Sequence, residues 1–265
     1  MTEMQTLARG LRILDLIANA DRALGVTEIA HLLDLDKSSV SRLVKTLVNY
    51  DYVQPDSGSR GYVLGKRVRQ MSWHYLNRMP VREKAKPYLY HLVERTGECA
   101  HTAVYSEGKA LMIDDVEAEA SLRVVGGIGR LIPLHCTAVG KALLAFSDLP
   151  VPARLEAETA RTIVDHETLL EHLAIIQAQG YALDDEEHQE GVRCMAAPVY
   201  DYMGGVIAAI GISGPTVRMT DDRIPELAQA VMAAARNLSE DLRSAASTDR
   251  PRRPFVSRRR ASAGP

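Results

Sequence analysis

TEIAHLLDLDKSSVSRLVKTL, running from Thr27 to Leu47, holds two apolar periodicities separated by one tight turn. In the first half Ile29, Ala30, Leu32 and Leu33 recur at helical spacing, and Thr27 is a residue type suited to capping a helix start. Asp36 can cap the second half, where Val40, Leu43, Val44, Leu47 and Val48 make one stripe and Lys37, Ser38, Ser41, Arg42 and Lys45 make the opposite one. Two short helices around a turn, the second presenting Lys, Arg and Ser outward, form a helix-turn-helix whose second helix suits the major groove of DNA. Lys and Arg neutralise phosphates or reach guanine edges, and short hydroxyls permit close approach to the backbone. The plainer alternative is a three-helix cluster with a solvated basic face.

The flanking residues favour the DNA-binding reading. Upstream, MQTLARGLRILDLIANA (4–20) sets Leu7, Leu11, Leu14, Ile17 and Ala18 on one face of an amphipathic helix. Downstream, YDYVQPDSGSRGYVLG (50–65) reads as strand, turn and strand, a β-wing with Arg60 near its tip. A winged helix-turn-helix domain is therefore expected over 1–64, with Thr27, Lys37, Ser38, Ser39, Ser41, Arg42, Lys45 and Arg60 as its contacts to double-stranded operator DNA. A linker helix is expected over 65–80, in which Val68, Met71, Tyr75 and Met79 alternate at three and four residues. Such a short heptad seam suits dimerisation, and a palindromic site needs two heads.

Pro80 marks a hinge, and VREKAKPYLYHLVERTG resumes as a helix expected to kink near Pro87. From Cys99 the pattern changes. CAHTAVY, KALMIDDV, SLRVV, RLIPLH, YALDD, RCMAAPVYD and GGVIAAIGIS read as strands, with a hairpin-like connection at Tyr202–Met203–Gly204. CTAVGKALLAF, HETLLEHLAIIQAQ and DDRIPELAQAVMAAARNLSEDLRSAA read as helices, so 81–247 is expected to be an α+β domain.

Charge divides the chain in the same way. Residues 1–79 carry 11 Lys and Arg against 8 Asp and Glu, residues 80–247 carry 15 against 25, and residues 248–265 carry 6 against 1. An acidic body behind a basic head suggests a polyanion-binding module joined to a domain with another task. The tail over 248–265 is too rich in Arg, Pro and Ser to fold alone, and is expected to be disordered, either as a solvated end or as an arm adding salt-sensitive DNA affinity. Neither a signal peptide nor an apolar run long enough to span a bilayer is visible, which points to the cytoplasm and no membrane partner. Cys99, Cys136 and Cys194 have no close pair, so reduced thiols are expected.

DDEEHQEGVRC, from Asp184 to Cys194, concentrates acids, a histidine, an arginine and a cysteine. As a metal site it would draw on Cys99, His101, His135, Cys136, Asp184, His188 and Cys194, none paired at the close spacing of ordinary zinc ligation. As a thiol hydrolase it would use Cys194 with His188 and Asp184, though no nucleophile motif surrounds Cys194. Neither a cofactor nor catalysis is expected. Asp185, Glu186, Glu187 and Glu190 read as loop charges that solubilise the surface or pair with Arg193.

The chain resembles the IclR family of bacterial transcription regulators, through TEIAHLLDLDKSSVSRLVKTL, LHCTAVGKALLA, ALDDEEHQEGVRCMAAPVYD and AAIGISGP. The resemblance runs from about Leu7 to Leu242. It implies a winged-helix head, a linker helix and a GAF-like effector-binding domain, working as a homodimer or homotetramer that responds to a small molecule, frequently a carboxylic or aromatic acid. It also implies a pocket that includes Asp184, Cys194 and Ser213, with Leu122 and Val124 as its apolar wall. The N–H groups of Ala138 and Val139, at a helix start, would face a ligand carboxylate. Gly211 stands where some members sensitive to small oxo acids carry a hydroxyl, and Ala138–Val139 replaces a smaller Gly–Ala pair, so the effector is expected to differ from a two- or three-carbon oxo acid.

Overall fold

The computed structural model describes residues 4–76, 79–124 and 126–248. The expected basic tail, beyond Thr248, lies outside the described residues, as do Asn77 and Arg78 of the expected linker. The chain forms two compact units that divide between Arg78 and Met79.

The first unit runs α1 (Gln5–Ala18), α2 (Val26–Leu33), α3 (Lys37–Asn49), β1 (Val53–Pro55), β2 (Tyr62–Leu64) and α4 (Lys66–Leu76). Asp36 caps α3, accepting the Ser39 N–H at 2.8 Å and the Ser38 hydroxyl at 2.6 Å. These bonds favour the ionised carboxylate and hold its pKa well below the usual range. Thr27 does not cap α2. Gly25 occupies that place, and Thr27 sits exposed in the first turn. The wing pairs Val53 with Leu64 and Pro55 with Tyr62, and Leu24 adds a bridge to Tyr62.

Ile13, Ile17, Leu24, Ile29, Ala30, Val40, Val44 and Val53 make this unit's core. The inward face of α1 is only partly the expected one, with Ile17 inward as expected but Leu7 and Leu11 outward. Gly10, Ile13 and Ile17 are buried, whereas Leu7 is 60% and Leu11 52% exposed. The helix carries two apolar stripes roughly 100° apart, and only one can face α2 and α3. Leu32 is exposed as well, because an eight-residue helix seats only a narrow face on Ile29 and Ala30. The expected seam also stops early. Met79 precedes α5 in an extended conformation, since Pro80 disfavours helical geometry in the residue before it.

The second unit runs α5 (Pro80–Thr96), β3 (Cys99–Ser106), β4 (Lys109–Val116), β5 (Leu131–Ile132), α6 (Ala138–Phe146), α7 (His166–Gln179), β6 (Ala182–Asp185), β7 (Val192–Tyr200), β8 (Val206–Pro215) and α8 (Ile224–Thr248). One six-stranded antiparallel sheet has the order β5-β4-β3-β8-β7-β6. Pro87 lies inside α5, which continues to Thr96. SLRVV is not a strand over its described residues 121–124: the Leu122 carbonyl accepts from Arg218 at 2.8 Å and Arg123 pairs with Glu117, in place of a ladder.

Helices α5 and α8 pack on one face of the sheet, and α6 on the other with α7 beside it. Small residues bring α6 close: Ala103, Ala196 and Ala209 lie in its cluster, and Ala138 to Ala145 are buried throughout. Gly140 lets the segment that leads into α6 fold back against the helix, since a Cβ there would come within 2.4 Å of the Leu134 carbonyl oxygen.

Candidate functional site

On the first unit, Lys37, Ser38, Ser41, Arg42 and Lys45 are exposed along α3 opposite buried Val40 and Val44, so the helix presents a cationic, hydroxyl-bearing face outward. Ser39 is half-buried, with its N–H committed to the Asp36 cap and its hydroxyl 3.5 Å from Arg42 Nη2. Arg60 is exposed in the β1–β2 connection. The capping carboxylate fixes where the first turn of α3, and with it Lys37 and Ser38, meets solvent.

The second unit holds a cavity of about 120 Å³ between the α6 start, the strand ends and the acidic loop. That is room for about four waters at liquid density, or one small organic molecule. Val124, Ala138, Val139, Asp184, Cys194 and Ser213 all line it. Leu122 does not; it is 60% exposed, and Met112, Ile132 and Val124 supply apolar wall instead. Gly211 is absent from the lining, and a Cβ there would stand 2.2 Å from the Met195 carbonyl oxygen. Its bareness therefore serves close strand packing, and the expectation of a hydrogen bond lost from the pocket at this position does not hold.

Sheet register explains the convergence. Cys99 pairs with Ser213, Ser213 with Cys194, and Cys194 with Asp184, so one row across four strands delivers these side chains together. Above the row, Thr137 caps α6 by accepting the Gly140 N–H, while its hydroxyl donates to the Pro133 carbonyl at 2.6 Å. The first-turn donors of Ala138 and Val139 have no acceptor within the helix, and both residues line the cavity. Arg130 and His188 also line it.

Burial governs the electrostatics. His101 is buried, shares a hydrogen bond with the Ser213 hydroxyl at 3.1 Å, and has its pKa pushed down to about 4, so it is neutral at physiological pH. Asp184, 1% exposed, has its carboxyl pushed up to about 7 by burial, even though its Oδ1 accepts the backbone N–H groups of Glu187 and His188 at 2.8 and 3.3 Å. Burial, with the charge of Asp184, raises the Cys194 thiol well above its ordinary value.

Sequence reasoning missed Lys141 and Glu187. The Lys141 side chain is fully buried, donates to the Leu183 carbonyl at 2.6 Å and pairs with Glu187, itself 5% exposed. Glu187 is thus no solubilising charge. The signal was a single Lys inside the otherwise apolar AVGKALLAF. Thr159 and Thr162 also fasten the acidic loop, donating to the Glu186 and Glu187 carbonyls at 2.7 and 2.6 Å. Asp185 does pair with Arg193, at 2.5 Å.

The alternative chemistries find little support in this geometry. Among the described residues no group of three or more His, Cys, Asp and Glu side chains is placed to hold a metal ion. The hydrolase arrangement does not form: His188 Nδ1 lies 4.0 Å from Cys136 Sγ, Asp184 binds its own loop, and a thiol raised like that of Cys194 is a poor nucleophile. No described helix is long and apolar enough to cross a membrane.

Comparison with known proteins agrees across both units. The IclR helix-turn-helix domain family matches residues 6–57, and the family of bacterial transcriptional regulator IclR C-terminal domains matches residues 73–240. The HTH-type transcriptional regulator BhcR of Paracoccus denitrificans is 38% identical over 242 residues, covering 89% of this chain and 86% of that protein. The HTH-type transcriptional repressor AllR of Escherichia coli is 33% identical over 244 residues, 90% of each chain. The crystal structure of the Thermotoga maritima IclR superposes with a TM-score of 0.73 at 28% identity, covering 91% of this chain and all of that one. These relatives are named for regulating transcription and not for catalysis. The chain belongs to the IclR family and is an IclR-type DNA-binding transcriptional regulator.

Proposed function

We propose that this regulator is an operator-binding repressor in the cytoplasm whose DNA affinity is switched by a small carboxylic acid, aliphatic or aromatic, held in the cavity of the second unit. The observation that carries the reading is the cavity itself. It joins the unpaired first-turn amides of α6 to the Ser213 hydroxyl, the Arg130 guanidinium and an apolar wall, a combination that suits one carboxylate on a compact apolar body. Asp184 and Cys194 complete its polar lining. On the first unit, Thr27, Lys37, Ser38, Ser41, Arg42, Lys45 and Arg60 form the exposed operator-contacting set, with Ser39 holding Arg42.

Homodimerisation, or assembly to a homotetramer, belongs to the same proposal. The unused α1 stripe and α4 border an apolar groove lined by Leu11, Leu14, Leu64, Val68 and Met71, and a second copy covering it would pair two heads for a palindromic site. An effector switches such a protein only as far as it prefers one arrangement, and about 1–3 kcal/mol of coupling gives a useful response. The test is fluorescence-anisotropy titration of upstream intergenic DNA against a scrambled duplex, repeated with a panel of small organic acids. Selective binding that one acid alters supports the reading; selective binding that no acid alters removes the acid from it.

A further inference from the structure

We propose that Asp184 makes effector binding proton-coupled: the effector's carboxylate enters the cavity together with one proton from solvent, which Asp184 holds and donates back as an O–H···O hydrogen bond. This rests on the acid-binding reading above.

The count of buried charges carries the inference. Lys141 of α6 is the fully buried cation nearby, and Glu187 is the carboxylate in direct contact with it. Asp184 is left without a cation in contact. Its Oδ1 takes two loop amides, the Cys194 thiol is a side-chain hydrogen-bond partner, and the residue lines the cavity. The charge of Lys141 acts on it through space and offsets only part of the cost of burial, and most of the other groups around it are neutral or acidic. Cys194 of β7 is a protonated thiol, and Cys136, just before α6, is pushed up to about 12 by burial. Ser213 of β8 and neutral His101 of β3 bond to each other. His188, on the same loop, has its pKa lowered by burial. Asp115 and Glu117, at the end of β4, are further acids, and Arg130 before β5 is an exposed cation at the lining.

A second carboxylate placed in this cavity beside Asp184 meets the condition under which two acids sharing one site cannot both ionise. Neutralising the ligand would weaken its bonds to the α6 amides, which are strongest to a charged acceptor, so the proton goes to Asp184. The atoms balance simply: one anion and one proton bind, and both leave together. Burial has already brought the carboxyl to about 7, so the uptake is drawn from the physiological range. The effector's apparent Kd should be flat below about pH 6 and rise roughly tenfold between about pH 6 and 8, then about tenfold again by pH 9. Asp184→Asn, which keeps an acceptor for the loop amides, should bind the same acid with that dependence gone.

The experiment is isothermal titration calorimetry of the full chain with acetate, lactate, pyruvate and benzoate, each in phosphate and in Tris at pH 8. Proton uptake near one per ligand, read from the difference between buffers, together with the tenfold loss in affinity from pH 6 to 8, is the expected result. Binding with no proton exchange overturns the inference and leaves the acid-binding reading standing. If none of the four acids binds at millimolar concentration, both fall. Asp184→Asn that retains the full pH slope overturns Asp184 as the carrier, and the two-buffer measurement on the unaltered protein needs no folded variant.

Discussion

Replacing Lys141 by Met tests the buried pair that ties α6 to the acidic loop. The Lys141 side chain is 0% and that of Glu187 6% exposed, so this is not a surface ion pair worth about 0–1 kcal/mol. Removing the ammonium leaves Glu187 buried with no counter-ion, and its Oε2 already lacks a hydrogen-bond partner. The Leu183 carbonyl loses its 2.6 Å donor at the same time. Breaking a buried pair from one side costs about 3–5 kcal/mol, whereas removing both charges and refilling the space is near neutral. Lys141→Met should therefore lower the Tm by roughly 6–20 °C, at about 2–4 °C per kcal/mol for a chain of this size. Lys141→Met with Glu187→Leu should recover most of that loss. Thermal denaturation of the full chain followed by circular dichroism reads both. The single variant's deficit should shrink as pH falls, because burial raises the Glu187 pKa and a protonated Glu187 no longer needs the lysine. A single-variant shift below about 3 °C, or a double variant as unstable as the single, would refute the reasoning.

Other consequences are equally direct. The Asp184 carboxyl sits near 7 in the folded protein against 3.8 unfolded, so the native state binds the proton more tightly and the wild type loses stability as pH rises from about 4 to 7. Asp184→Asn escapes that loss, and its Tm relative to wild type should climb between pH 5 and pH 8 by the equivalent of roughly 2.5 kcal/mol; a difference that stays constant with pH contradicts this. Gly140→Ala gains about 1 kcal/mol of helix propensity but drives a methyl to 2.4 Å from the Leu134 carbonyl, where overpacking costs about 1–3 kcal/mol. A lowered Tm with weakened acid binding is expected, and an unchanged Tm would show that α6 has slack. Arg42→Ala should weaken operator binding and reduce the salt slope by about one, with the Tm unmoved; an unchanged slope in salt-dependent anisotropy removes Arg42 from the phosphate contacts.

Sequence alone carried the local periodicities. The basic and apolar stripes of α3, its Asp36 cap, the wing and the alternation from strands to helices were all legible, because helix and strand periods and turn chemistry are properties of neighbouring residues. Six of the seven pocket residues implied by the family resemblance line the cavity. What failed needed knowledge of distant partners. Leu7 and Leu11 form as good a stripe as Ile13 and Ile17, and only packing against α2 and α3 decides which one is buried. SLRVV has strand composition, yet Arg218, nearly a hundred residues away, takes the Leu122 carbonyl that a ladder would have used. Lys141 and Glu187 looked like ordinary charges until α6 and the acidic loop met, and Gly211 looked like a lost hydroxyl until the Met195 carbonyl stood beside it. The sequence by itself determined which elements form and which face of α3 is charged. Only the tertiary structure decided which charges lose their water, and desolvation is what moves the Asp184 proton into the physiological range.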